Sequence, residues 1–242
     1  MNFLFTEEEE YRRTYEELWE KDPAQAEREA ERMVQEALCA DRLCRALREE
    51  LVECKARVDA LMKMAKAATD RFQGSGTIFS TAGTDNKAFF SFCADLRRIE
   101  DGMRCLRMAM GRQVVALIPR ERAATVLHAE ALLRASLKMA KSQPTDGRSA
   151  ICTRLLSELV RDSERIAAIL SIQERVSAAL SDFCERTIPQ FCERASLAAD
   201  VQGEGRSFRS STVREAFGAL AFATERLSDL ISEQIRKVDL LT

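Results

Sequence analysis

The sequence predicts an all-α protein with an internal duplication, and three observations carry that prediction. Of its 242 residues 46% are hydrophobic, with only 4 Pro and 9 Gly, and Ala, Leu, Glu and Arg, all good helix formers, dominate the composition. Apolar residues recur at helical spacing over long stretches, as at Met33, Ala37, Leu43, Leu47, Leu51, Val58, Leu61 and Met64. Finally, two similar segments stand far apart. Ala88, Phe89, Arg98 and Asp101 meet the same residue types at Ala216, Phe217, Arg226 and Asp229, an offset of 128 (101 to 229). Ile99 meets Leu227 and Met103 meets Ile231 at the same offset.

The elements follow in order. Thr6 with Glu9 forms a capping box and opens a short acidic helix to about Glu20. Asp22-Pro23 restarts the chain, because Asp caps well and Pro suits the first helical position. From there to about Phe72 the pattern predicts either one long helix or two helices with a tight turn near Cys39–Asp41. Gly74 and Gly76 end it, and a loop runs to about Asp85. A Phe-rich helix follows to about Leu117 and stops at Pro119. The next helix reaches about Lys141, and Ser142–Gly147 is a linker. A long helix then spans about Arg148 to Thr187, Pro189 kinks it, and a short helix continues to about Asp200. Gly203 and Gly205 mark a second loop before the last helix, about Ser211 to Leu240. Each half thus runs long helix, Gly-x-Gly loop, then a helix with a charged turn ending in Asp.

Charge and cysteines exclude several functions. A net charge of −2 argues against a general nucleic-acid binder, although seven Arg lie between Arg97 and Arg122, against Glu100, Asp101 and Glu121. That run reads as a solvated helix face, or as an anionic-partner surface. The 8 Cys contain no Cys-x-x-Cys pair and read as reduced, buried apolar residues. His128 is the single His, which disfavours zinc. No stretch approaches the ~20 apolar residues that cross a bilayer. A cytoplasmic protein without direct membrane insertion is expected. No P-loop, dinucleotide-binding loop or nucleophilic triad is visible, so a non-enzymatic role is expected.

The acidic turns are the remaining candidates for chemistry. Glu225 and Asp229, at i and i+4, share a helix edge. Facing carboxylates on a packed helix would make an oxygen site for a divalent cation. The first copy is poorer, because Arg97 stands where the second has Glu225, leaving Asp101.

Asp95-Leu-Arg-Arg-Ile-Glu-Asp101 resembles the acidic third-helix motif of the PhoU family, and Thr224-Glu-Arg-Leu-Ser-Asp229 resembles its second occurrence. Ala37-Leu-Cys-Ala-Asp41, Glu53-Cys-Lys-Ala-Arg-Val-Asp59, Leu159-Val-Arg-Asp162 and Gln173-Glu-Arg-Val-Ser177 resemble its other helix segments, in order. The resemblance implies a tandem pair of three-helix bundles with long antiparallel helices, here at 1–118 and 119–242. It also implies a cytosolic regulator of phosphate uptake that binds a membrane transporter or sensor kinase, and an acidic metal site. Carried onto this chain, that site comprises Asp59 and Asp101 beside Lys55 and Arg97, and Glu225 and Asp229 facing Gln173 and Ser177. Such a depleted set implies no cofactor, or a weakly bound divalent metal. A homodimer is compatible with these features. Two other readings of the sequence are a coiled-coil scaffold built on the Pro23–Phe72 stretch and a carboxylate-bridged metal bundle.

Overall fold

The computed structural model describes residues 13–14, 16–73, 94, 97–98, 100–105, 107–108, 116–118, 122–140, 148–194 and 210–242. The described secondary structure is helical, without a strand, as the composition predicts. The long helices are α1 (Pro23–Ala37), α2 (Ala40–Gln73), α3 (Arg122–Ala140), α4 (Arg148–Asp182) and α5 (Ser210–Asp239), with a π-helical turn, Phe183–Thr187, directly after α4. The expected Thr6–Glu9 capping box, both Gly-x-Gly loops, the Ser142–Gly147 linker, Pro119, Asp95 and the aromatic half of the first repeat lie outside the described residues.

Start signals act where the sequence places them. Asp22 Oδ1 accepts from Gln25 N–H at 3.0 Å, and Pro23 occupies the first helical position. Such a cap is worth about 1 kcal/mol. The stretch after Pro23 is two helices, because Leu38 takes an extended conformation and only Leu38 and Cys39 separate α1 from α2. Near Pro189 the irregularity falls one turn early. The Ile188 N–H donates to Phe183 O, five residues back, and helix resumes through residue 194. Proline offers no N–H and crowds the carbonyl four residues before it, that of Glu185. The wider π turn accommodates both effects.

Compact grouping gives two units, Met1–Cys44 with Val115–Leu170 and Arg45–Val114 with Ser171–Thr242. Each draws on both halves of the sequence. In the first unit α1 packs on α3 through Ala26, Ala30, Val34 and Ala37 against Ala129, Leu132 and Leu133, with Trp19, Cys152, Leu155 and Leu159 completing the core. Alanines spaced at helical intervals let the two backbones come close, and full burial of each Leu contributes about 2 kcal/mol.

In the second unit α2 buries Leu47, Leu51, Cys54, Val58 and Leu61, α4 buries Ile172, Val176 and Leu180, and α5 buries Phe217, Leu220, Leu227 and Ile231. Phe191 and Phe217 meet at 5.0 Å between ring centroids, an aromatic-pair distance. α2 and α5 run antiparallel, since Arg48 pairs with Asp239 at 2.6 Å and Lys66 with Glu225 at 3.0 Å. Where both repeat copies are described, burial keeps the same phase: Arg98, Asp101, Arg226 and Asp229 are exposed, and Met103 and Ile231 are buried. Among the described residues no helix is long and apolar enough to cross a membrane.

Candidate functional site

The four carboxylates singled out in the sequence do not gather into one cluster among the described residues. Asp59, on α2, receives Lys55 Nζ at 2.5 Å and the Ser228 hydroxyl of α5 at 2.5 Å. Burial pushes its carboxyl up, but the Lys55 and Ser228 hydrogen bonds and the Lys55 and Lys63 charges outweigh that and hold it below the usual range. Glu225 is exposed and pairs with Lys66 across the α2–α5 contact. Asp229 is exposed one turn further on, and Asp101 is exposed on the helical residues 100–105. The structure therefore brings Asp59 to the Ser228 edge and Glu225 to Lys66. Among the described residues no three His, Cys, Asp or Glu side chains gather as a metal would require.

Most of the described cysteines are buried, as the sequence implies, but Cys105 is exposed and Cys192 only partly buried. Cys39, Cys44, Cys54, Cys152 and Cys184 are buried and form no disulfide, and Cys93 lies outside the described residues. Burial raises the thiols of Cys39, Cys44, Cys184 and Cys192 and takes Cys54 to about 12. These are protonated, unreactive groups at neutral pH.

A different feature offers a binding surface. An open groove of about 680 Å³ lies between the end of α4 with its π turn and the exposed side of α5. Its apolar lining includes Phe183, Leu227 and Leu230, and its polar rim includes Asp229, Arg226 and Arg236. Phe222 stands at the groove with 61% of its surface exposed, and the Arg226 guanidinium covers its ring at 5.8 Å, within cation–π range. On the other face of the π turn, Arg107 bonds Ser181 Oγ at 2.6 Å and pairs with Glu185. The Glu185 carboxyl is held low by those hydrogen bonds.

Sequence periodicity missed the groove for a clear reason. Phe222 lies beside the buried Ala221 and Thr224 positions and reads as another core aromatic. The signal that could have found it is its offset from the α5 stripe Phe217, Leu220, Thr224, Leu227 and Ile231. No protein family, curated protein or solved structure matches the chain.

Proposed function

We propose that this chain is a non-enzymatic helical adaptor that docks a partner protein in the α5 groove. The observation that carries this reading is Phe222, a large aromatic side chain exposed beside an apolar-floored groove. Exposed aromatics of this kind anchor protein interfaces. The occupant that fits is an amphipathic helix of the partner. It would lay an apolar residue against Phe222 and Leu230 and a basic side chain toward Asp229, the helix-in-groove mode.

The phosphate-uptake assignment rests on the PhoU-like motifs alone. It names the partner as a phosphate transporter or its sensor kinase. Two variants separate the two statements. Titrated onto the cytosolic parts of such a transporter and kinase, the full chain is expected to bind one of them. Phe222→Ala is expected to weaken that binding about tenfold, or ~1.4 kcal/mol. Failure to bind either protein would overturn the phosphate assignment. Binding that is indifferent to Phe222→Ala and Arg226→Glu, in variants with native helicity, would overturn the groove.

A divalent cation is, in this reading, held weakly at Glu225 and Asp229, because lysines already neutralise Glu225 and Asp59. Calorimetry with Mn²⁺ should show only weak binding. Tight binding lost in both Asp101→Ala and Asp229→Ala would show that the acidic motif is a working metal site.

A further inference from the structure

Within the second unit, α2, α4 and α5 each carry a long polar side chain on the buried stripe. Glu50 continues the series Leu43, Leu47, Cys54 on α2, Gln173 stands between Ile169 and Val176 on α4, and Gln234 stands between Ile231 and Val238 on α5. All three are buried, to 9%, 8% and 1% exposure. Both Glu50 oxygens, Gln173 Oε1 and Gln234 Nε2 are shut off from solvent and find no hydrogen-bond partner among the described residues.

The helix registers place them at one level. Arg48 meets Asp239 and Asp59 meets Ser228, so Glu50 falls opposite residue 237 of α5. Gln234 is then three residues away, about 4.5 Å along the axis at the helical rise. The Arg175 charge on α4 acts on Glu233 of α5, so the stretch of α4 that carries Gln173 lies beside the stretch of α5 that carries Gln234.

We propose that Glu50, Gln173 and Gln234 form a proton-dependent clasp at the centre of this bundle. With the Gln173 amide oriented as it stands, its oxygen toward the core, the donor and acceptor count closes when Glu50 carries a proton. The neutral carboxyl then gives its O–H toward Gln173 Oε1, and its carbonyl oxygen accepts from the Gln234 Nε2–H side, each across one water. Once ionised, Glu50 has two acceptors and no donor, and Gln173 Oε1 faces a negative charge. An unpaired charge in an apolar layer is costly.

Among the described residues the surrounding charges give no rescue. On α2, Glu53 adds a like charge to Glu50 and is itself paired with Arg57, while Arg48 is taken by Asp239 of α5. On α5, Glu233 pairs with Lys237. On α4, Glu174 and Arg175 are exposed, and Cys54 and Cys184 are neutral thiols raised by burial. Elsewhere in the unit, Arg104 pairs with Glu100 and Arg107 with Glu185. Burial first, and Glu53 second, push the Glu50 carboxyl up to about 7, so the clasp would open across the physiological range.

The test compares the full chain with Glu50→Gln, which keeps the shape and mimics the neutral acid. Urea unfolding is followed from pH 5 to pH 8, with hydrogen exchange of α5 amides in parallel. The folding equilibrium constant of the native chain should fall relative to Glu50→Gln by at least about tenfold over that range, the change that one pKa unit carries. Exchange in residues 227–238 should quicken with pH in the native chain and not in the variant. The difference should shrink in Gln173→Leu, which removes the acceptor for the carboxyl proton. Parallel pH dependences in the native chain and Glu50→Gln would overturn the proposal, as would α5 exchange that quickens equally in both.

Discussion

Asp162 sits on α4 and caps another helix. Its carboxylate accepts the N–H groups of Cys39, at 3.2 Å, and Ala40, at 2.9 Å, the first amides of α2, which have no acceptor within their own helix. Arg122 closes the arrangement, donating to Asp162 Oδ2 at 3.0 Å, to Ser163 Oγ at 3.1 Å and to the Ala37 carbonyl at 3.2 Å. One carboxylate and one guanidinium thus satisfy the end of α1 and the start of α2. Both are nearly closed to solvent, with 14% of the Arg122 side chain and 6% of the Asp162 side chain exposed. Removing one member of a buried pair leaves the other uncompensated. Asp162→Ala is therefore expected to cost about 3–5 kcal/mol of unfolding free energy. Asp162→Asn, which keeps an acceptor, should cost about 1–3 kcal/mol. Denaturant unfolding checks both values, and exchange protection at Cys39 and Ala40 should fall in step. Asp162 reads in the sequence as one carboxylate of a helix motif. Its partners lie 40 and 122 positions away, and no local period reports a bond of that span.

At the scale of elements, local chemistry was legible and lateral chemistry was not. Asp22-Pro23 marked the start of α1 because capping is decided by neighbouring residues. The break near Cys39–Asp41 was also visible, but the choice between one helix and two rested on Asp162, which no window around Cys39 contains. The Glu225 and Asp229 edge was readable as an i, i+4 pair. That Lys66 takes Glu225, while Asp229 turns to the groove, depends on how α2 lies against α5. Pro189 was readable as a disturbance, yet its effect appears at Phe183–Thr187, because proline acts on the carbonyl four residues before it. That turn forms one wall of the groove, so the proline connects stability with binding. Pro189→Ala should restore a regular hydrogen bond to Glu185 and raise stability by about 1 kcal/mol, a fraction of the ~3 kcal/mol that an interior proline costs. The same variant should weaken partner binding if the π turn shapes the groove. Thermal unfolding reads the first effect and titration of the partner reads the second. A lower melting temperature would show that the π turn is held by contacts such as Arg107 with Ser181 and Glu185, independently of the proline.

For the molecule as a whole, the ionisable groups predict an unusual dependence of stability on pH. One set has carboxyls held low: Glu29 by the Arg32 hydrogen bond, Asp59 against its burial by Lys55 and Ser228, and Glu185 and Glu233 by their cationic partners. Their folded-state pKa lies below the unfolded value, so their stabilisation is present above the unfolded pKa and disappears as pH falls through the folded one. They weaken the protein in acid. Glu50 has the opposite sign. Its folded pKa of about 7 exceeds the unfolded value of ~4.3, so its contribution is complete below the unfolded pKa and is lost as pH rises toward 7. The buried thiols share that sign at higher pH, beginning near the unfolded thiol value of ~8.5. Stability should therefore climb from pH 3, peak near pH 5, decline to about pH 7 and fall again above about pH 9. Urea midpoints at constant ionic strength across that range would trace the profile. In Glu50→Gln the decline between pH 5 and 7 should vanish while the acid limb remains, because that limb belongs to Asp59, Glu29 and the surface pairs. A native profile that keeps rising to pH 8 would mean that Glu50 is ionised throughout and that the core of the second unit holds its charge at little cost.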